Sequence, residues 1–172
     1  MQAVKKTQNT PTLSLLGEGD SFHSSLCGML EETSLFSDLD RLEIEYLSRW
    51  FKAYSAPAGA IVTREGERNP CLYVVAKGEL HVLKETGAYE NRRIAQIKAG
   101  KSLGEMGILD GCPISATTVA AANSVLLLIT QNNFQNVLEQ NPKLGVKLLL
   151  KLGKMVSLRL RQTSGQLAEF LH

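Results

Sequence analysis

Residues 102–119 read SLGEMGILDGCPISATTV, and the predicted fold is organised around this stretch. Gly104 begins a short apolar segment that is predicted to form a helical turn, which leaves backbone N–H groups free at its start. Such groups bind an anion, most often a phosphate. Glu105 repels a phosphate, but its carboxylate can accept a hydrogen bond from a sugar hydroxyl. Small hydroxyl side chains follow at Ser115 and Thr117, so the stretch suits a sugar phosphate better than a metal ion or a nucleophile.

Short β-prone segments separated by turns lie on both sides of this stretch. The turns recur at about the 8–12-residue spacing that is typical of antiparallel β proteins. Residues 80–83 and 93–97 alternate apolar and polar side chains, and residues 125–129 form an aliphatic run of strand length. The pattern predicts a mainly β domain, an antiparallel sandwich or barrel, over residues 55–131, with helices on both sides.

The N-terminal part of the chain divides into two predicted segments. Residues 1–24 are rich in polar side chains and are predicted to form a flexible tail. A weak apolar patch in this tail could dock on the body or form a disordered partner motif; it comprises Leu13, Leu15, Leu16 and Phe22. Residues 25–54 place apolar side chains three and four apart, which predicts a helical segment with Asp38 as a candidate N-cap. Trp50 and Phe51 are its predicted core anchors.

Residues 132–172 are predicted to form two helices. Asn132 or Asn133 is the candidate cap of the first helix, and Pro142 can start the second, which continues almost to the C-terminus. An apolar stripe runs along the second helix and comprises Leu149, Leu152, Val156, Leu160, Thr163, Leu167 and Phe170. The stripe is longer than one barrel needs, which favours a homodimer seam. The alternatives are a helix folded back on its own subunit and an end broken at Gly165.

The quoted stretch resembles the phosphate-binding cassette of the cyclic-nucleotide-binding domain, the family of the bacterial catabolite activator and of kinase regulatory subunits. LGEMGI at residues 103–108 fits the first half of the family pattern, and PISAT at residues 113–117 fits the second half. The resemblance extends over residues 35–161 through its turn glycines and its inner strand. It implies a double-stranded β-helix, or jelly-roll, barrel with N-terminal helices and a long C-terminal helix. One position departs from the pattern, because the family's phosphate-binding arginine falls on Ile114.

The resemblance also implies a ligand, a cyclic nucleotide such as cAMP or cGMP. Glu105 would accept a hydrogen bond from the ribose 2′-hydroxyl, and backbone N–H groups with the Ser115 hydroxyl would bind the cyclic phosphate. Thr163, on the long helix, would contact the base. The full set of implied site residues is Leu103, Gly104, Glu105, Met106, Ser115, Ala116, Thr117 and Thr163. A cation to replace the missing arginine could come from Arg92, Arg93 or Lys101.

Composition and charge limit the classes of partner and compartment. The chain of 172 residues has a formal net charge of +2, which predicts no particular partner. Four lysines share one face of the last helix, and a solvated face is favoured over docking to an acidic partner, a membrane or nucleic acid; they are Lys143, Lys147, Lys151 and Lys154. Three scattered cysteines without a signal peptide favour a reducing cytoplasm. No stretch approaches the roughly 18 apolar residues of a membrane span.

Enzyme and DNA-binding functions find no supporting motif. The sequence has no Gly-x-Ser-x-Gly elbow and no P-loop. Its histidines, His23, His81 and His172, lie too far apart for a common metal motif. DNA-binding members of the family place a helix-turn-helix after the long helix, and no residues follow His172 to build one. We therefore expect neither catalysis, nor a metal site, nor sequence-specific DNA binding by this chain alone.

Two functional hypotheses follow. The first is a cyclic-nucleotide-binding-type regulatory or sensor domain that has no attached DNA-binding module. It would signal through its C-terminal helix to a protein partner or within a homodimer. The alternative is a degenerate, ligand-free interaction module of the same fold, which the apolar side chain of Ile114 favours.

Overall fold

The computed structural model describes residues 12–19, 21–85 and 91–170. Within these ranges the strands are β1 (Ser14–Glu18), β2 (Lys52–Ala56), β3 (Ile61–Thr63), β4 (Cys71–Lys77), β5 (Glu79–Glu85), β6 (Asn91–Lys98), β7 (Ser102–Leu103), β8 (Thr117–Ala120) and β9 (Ser124–Thr130). The helices are α1 (His23–Glu31), α2 (Arg41–Ser48), α3 (Glu105–Asp110), α4 (Gln131–Gln140) and α5 (Pro142–Phe170). None of these helices is both long and apolar enough to cross a membrane.

The strands form two antiparallel sheets. One sheet has the order β1-β2-β9-β4-β7, and the other has the order β3-β8-β5-β6. Apolar side chains from both sheets meet in a common barrel core, which includes Val75, Leu80, Ala120 and Leu126. This arrangement, with helices before and after the strands, confirms the predicted mainly β jelly-roll barrel with flanking helices and a long C-terminal helix.

The continuous apolar character of the central strands has a direct structural cause. Successive side chains of a strand point to opposite faces. In β4, Tyr73 and Val75 therefore point into the barrel core. Leu72 and Val74 point outward and pack against the helices. Because β4 is covered on both faces, it does not show the alternation of a strand with one face in water.

The segment before the barrel differs from its prediction. Ser14–Glu18 pairs with β2, and α1 begins at His23, so this part of the expected tail is ordered; residues 1–11 and 20 lie outside the described residues. Phe22 packs against the second core, which lies between the helices and the outer face of β4. Leu15 and Leu16 are about half exposed. The predicted helical segment ends early, because Lys52–Ala56 is strand β2.

The N-cap of α2 is Asp40 rather than the predicted Asp38. The Asp40 carboxylate accepts a hydrogen bond from the Glu43 N–H, and the Glu43 carboxylate accepts one from the Asp40 N–H. This reciprocal pair is a capping box, which satisfies two N–H groups at the helix start. Asp38 instead accepts a hydrogen bond from Lys151 of α5 at 2.6 Å, which lowers the pKa of its carboxyl.

The C-terminal helices pack by the side chains that face the barrel. Thr130, and neither predicted asparagine, caps α4 by accepting from the Asn133 N–H, whereas Pro142 does begin α5. The buried positions of α5 are Leu144, Leu148 and Leu152. From residue 157 to residue 169 every side chain of α5 is exposed. Of the four lysines on one face, Lys147 and Lys151 are paired with Glu43 and Asp38, so that face partly serves the fold.

Candidate ligand-binding site

Strand β7 and the glycine that follows it place the first half of the quoted stretch. Leu103 pairs with Tyr73 of β4, and Gly104 then turns the chain with a φ of 90°. A Cβ atom on Gly104 would lie 2.0 Å from the Cys71 carbonyl oxygen. Only glycine fits here, because the position needs both a positive φ and a close approach to β4. The turn fixes the start of α3 and therefore the position of Glu105.

The Glu105 carboxylate is buried, and each of its oxygens accepts one hydrogen bond from a protein donor. Its side chain is 2% exposed. The Ser102 hydroxyl donates to Oε1 at 2.6 Å, and Arg159 Nη1 of α5 donates to Oε2 at 2.7 Å. Arg159 Nη2 also donates to the Ser102 carbonyl at 2.5 Å. A buried charge requires such partners, so the helix supplies the counter-charge of this acid.

Sequence reasoning did not single out Arg159. Arg159 lies 54 positions from Glu105 in the sequence, and the residues around neither of them predict the contact. One signal could have found it. The buried stripe of α5 steps from Leu144 to Leu148 and Leu152, and a further seven residues lead to Arg159 on the same face. A charge on a buried stripe predicts a buried partner.

The second half of the stretch is fixed by backbone hydrogen bonds. The Ile114 N–H donates to the Glu67 carbonyl at 2.9 Å, and the Gly66 N–H donates to the Ile114 carbonyl at 2.8 Å. Its half-buried side chain therefore has a defined place in the cavity wall. The Thr118 hydroxyl, also in that wall, is buried and accepts from the Thr63 hydroxyl at 2.8 Å.

A cavity of about 160 Å³ lies between these two halves. Six of the eight predicted site residues line it, and they are Leu103, Gly104, Glu105, Met106, Ser115 and Ala116. The other two do not. Thr117 alternates with the inward-facing Thr118, and its hydroxyl accepts from the Glu65 N–H at 3.1 Å. Thr163 lies one turn beyond Arg159 and is exposed.

The lining carries few charged side chains. Among the residues that the structure describes, these are Glu105, Asp110 and Arg159. The Asp110 carboxylate accepts from the Cys112 N–H at 2.9 Å. The described part of the chain has no cluster of His, Cys, Asp or Glu side chains that could hold a metal ion.

None of the three cations predicted to replace the missing arginine lines this cavity; they are Arg92, Arg93 and Lys101. Arg93 lies 3.4 Å from the His81 ring, on the β5–β6 hairpin. A cation that sequence reasoning missed contacts the second half-motif. Lys84 Nζ donates to the Ser115 carbonyl at 2.6 Å and pairs with Glu65 at 2.5 Å, but its side chain is not part of the cavity wall.

Comparisons with known proteins agree with this geometry. The family model of the cyclic nucleotide-binding domain matches residues 54–141, about half of the chain. A cAMP-dependent protein kinase regulatory subunit from Yarrowia lipolytica is 30% identical over 111 residues, which cover 64% of this chain and 29% of that protein. The cyclic AMP receptor protein of Thermus thermophilus is 25% identical over 138 residues, 80% of this chain and 62% of that protein.

The structural comparison covers more of the molecule. The crystal structure of a cyclic nucleotide-binding domain from Methylobacillus flagellatus superposes with a TM-score of 0.79 at 28% identity, covering 91% of this chain and 88% of that one. By contrast, the chain spans only about a third of the length of the kinase regulatory subunits that it matches.

Proposed function

Because the chain belongs to the cyclic nucleotide-binding domain family, we propose that it is a regulatory domain that senses a nucleotide-class ligand in the cavity beside Glu105. The observation that carries the proposal is the buried carboxylate of Glu105, held in the cavity wall by Ser102 and Arg159. A carboxylate in such a place has few uses in folding, since burying a charge is costly. It is suited to accept a hydrogen bond from a ligand hydroxyl.

The ligand class is supported by chemistry and by the relatives. Two relatives of the chain are named for cyclic AMP, which supports a cyclic nucleotide or a close chemical relative as ligand. We place the sugar at Glu105, and the remaining polar contacts at the Ser115 hydroxyl and at the backbone N–H groups of Gly104, Met106 and Ala116. The apolar side chains of Val82, Ile97 and Leu103 complete the wall.

The signal is proposed to leave the site through α5. Arg159 connects the cavity to a helix whose following residues, 160–169, are exposed. A ligand that changes the contacts of Glu105 also changes what holds this helix. If the ligand has a different affinity for two helix positions, its binding shifts the balance between them. A protein partner or a second copy of the chain would then read the position of the helix.

Replacing Glu105 by glutamine is expected to weaken ligand binding about tenfold to a hundredfold. The substitution keeps the shape but replaces a charge-assisted hydrogen bond, which is worth roughly 1.5–3 kcal/mol, by a neutral one. Isothermal titration calorimetry with ribonucleosides and their cyclic monophosphates measures the effect. Glu139→Gln, on an exposed side chain of α4, is the matched control. Equal affinities for the wild type and E105Q would show that Glu105 does not contact the ligand.

Two exposed leucines of α5 support a homodimer. Leu160 and Leu167 are 66% and 58% exposed, and their spacing of seven residues places them on one face of the helix, as in a coiled-coil seam. We propose that α5 pairs with α5 of a second copy.

The dimer proposal predicts that Leu160→Glu shifts the protein from dimer to monomer, because the substitution places a charge in the seam. Analytical ultracentrifugation over a range of concentrations measures the shift. The neighbouring change Gln162→Glu adds the same charge at an exposed position and serves as the control. A wild-type chain that is monomeric throughout the range contradicts the proposal.

A second candidate function is a ligand-free interaction module. Ile114 favours it, because an apolar side chain stands where the family pattern has a cation for phosphate. The small volume of the cavity, about 160 Å³, also favours it, since ligand sites are commonly about 300–1,000 Å³. In either case we propose a regulatory role without catalysis. The free thiols of Cys27, Cys71 and Cys112 support a reducing compartment such as the cytoplasm.

A further inference from the structure

The cavity beside Glu105 differs from a site built for a phosphodiester, and the difference points to another ligand. We propose that it binds an uncharged ribonucleoside in preference to a cyclic nucleotide. This inference rests on the proposed function, because it names the chemical form of the ligand at the same site. Three properties of the described residues support it: the charge of the lining, the fixed place of Ile114, and the free acceptor positions of the two carboxylates.

The charged groups of the lining disfavour an anion. Glu105 and Asp110 carry two negative charges, and Arg159 is the single positive charge among the described lining residues. Arg159 is already committed, since one of its nitrogens donates to Glu105 and another to the Ser102 carbonyl. An incoming phosphodiester therefore meets a net negative lining whose cation is neutralised. A neutral ligand avoids both the repulsion and the loss of phosphate hydration.

Ile114 occupies the position of the missing cation, and a small backbone shift cannot replace its side chain there by a charged one. Both backbone polar groups of Ile114 are bonded to the turn at Gly66 and Glu67, so the side chain stays in the wall. Lys84, which contacts the neighbouring Ser115, is held by Glu65 and by the Ser115 carbonyl. A phosphate placed against Ile114 would lose water without gaining an ionic partner.

The acceptors of the lining match the hydroxyls of a ribonucleoside. Each Glu105 oxygen accepts one hydrogen bond from the protein, and each carboxylate oxygen can accept a second. Asp110 adds a second carboxylate. A ribonucleoside offers free hydroxyls at its 2′, 3′ and 5′ positions. In a 3′,5′-cyclic nucleotide two of these oxygens are esterified, and only the 2′-hydroxyl remains to donate.

The start of α3 does not restore an anion site. The helix has six residues, and its first residue, Glu105, already places a negative charge at that end. Its last residue, Asp110, adds another charge to the same wall. Both carboxylates of the lining are therefore acceptors, which suits a ligand that donates hydrogen bonds.

Calorimetric titration of the full chain tests the inference. The probes are adenosine, guanosine, cytidine and uridine, each measured beside its 3′,5′-cyclic monophosphate at one salt concentration. We expect at least one ribonucleoside to bind about tenfold or more tightly than its own cyclic monophosphate. Ile114→Arg is expected to reverse the order by adding the missing cation. Ile114→Gln changes the same wall position without adding a charge, so it is expected to lower both affinities without reversing their order. Circular dichroism and thermal melts establish that each variant is folded.

The possible outcomes separate this inference from the proposed function. Wild-type protein that binds a cyclic monophosphate as tightly as its nucleoside overturns the inference and keeps the sensor function. The inference also fails if the wild type binds no probe while I114R binds a cyclic monophosphate, because the cavity is then competent but built for an anion. If neither the wild type nor folded I114R binds any probe, the sensor function fails and the inference fails with it.

Discussion

Replacing Gly104 by alanine is expected to lower the free energy of unfolding by about 2–5 kcal/mol, among the largest effects of any single substitution in the chain. Two costs combine. The left-handed φ of 90° costs an L-residue about 1–2 kcal/mol. The new Cβ would lie 2.0 Å from the Cys71 carbonyl oxygen, a backbone atom of β4 that cannot rotate away. Overpacking of this kind costs about 1–3 kcal/mol more. Urea denaturation followed by circular dichroism measures the sum.

Gly66→Ala separates the two costs. Gly66 has a similar φ of 83°, but no atom lies within 4 Å of the Cβ that would be added. This control should therefore show the conformational cost alone. If G104A and G66A destabilise the protein equally, the close approach of the turn to β4 does not constrain the fold. In folded G104A, the displaced turn should also shift Glu105 and weaken ligand binding.

Local patterns were sufficient to predict the barrel. Its turns use glycines whose backbone conformations are costly for other residues, such as Gly59 and Gly78 with φ of 85° and 88°. Such requirements are visible in the sequence because they depend on one residue at a time. The two halves of the cassette likewise follow from short segments, and six of the eight residues predicted for the site line one cavity.

The features that sequence reasoning missed depend on pairs of distant segments. The pairing of Ser14–Glu18 with β2 depends on a partner about 40 residues away, and the residues 1–24 around it are rich in polar side chains, as in a tail. Asp38 and Asp40 are equally good caps by residue type, and the choice depends on Glu43, three residues after Asp40, and on Lys151, which binds Asp38. Strand β8 turns Thr118 toward the cavity and Thr117 away from it. Which of the two faces inward depends on how β8 pairs in the sheet, and the sequence of β8 does not show it.

The contact between Arg159 and Glu105 is the most consequential of these distant pairs. Replacing Arg159 by methionine is expected to lower the free energy of unfolding by about 1–3 kcal/mol, because a buried carboxylate loses its charged donor. The range extends down to about 1 kcal/mol because the Arg159 side chain is 45% exposed, so water partly screens its interaction with Glu105. Methionine keeps the length of the aliphatic part. Urea denaturation measures the loss, and Arg161→Met, at an exposed position of the same helix, is the control.

A second measurement decides whether this contact also restrains the helix. From residue 160 to residue 169 the side chains of α5 are exposed, so hydrogen bonds to Glu105 and Ser102 are what the described structure offers to hold that end on the barrel. Amide hydrogen exchange over residues 157–169 should therefore quicken in R159M and not in R161M. The double variant with E105Q should show a coupling energy of about 0.5–3 kcal/mol, since the two side chains touch. If exchange is unchanged and the coupling is absent, the helix is held by something other than the ligand site, and a signal from the cavity to α5 loses its physical route.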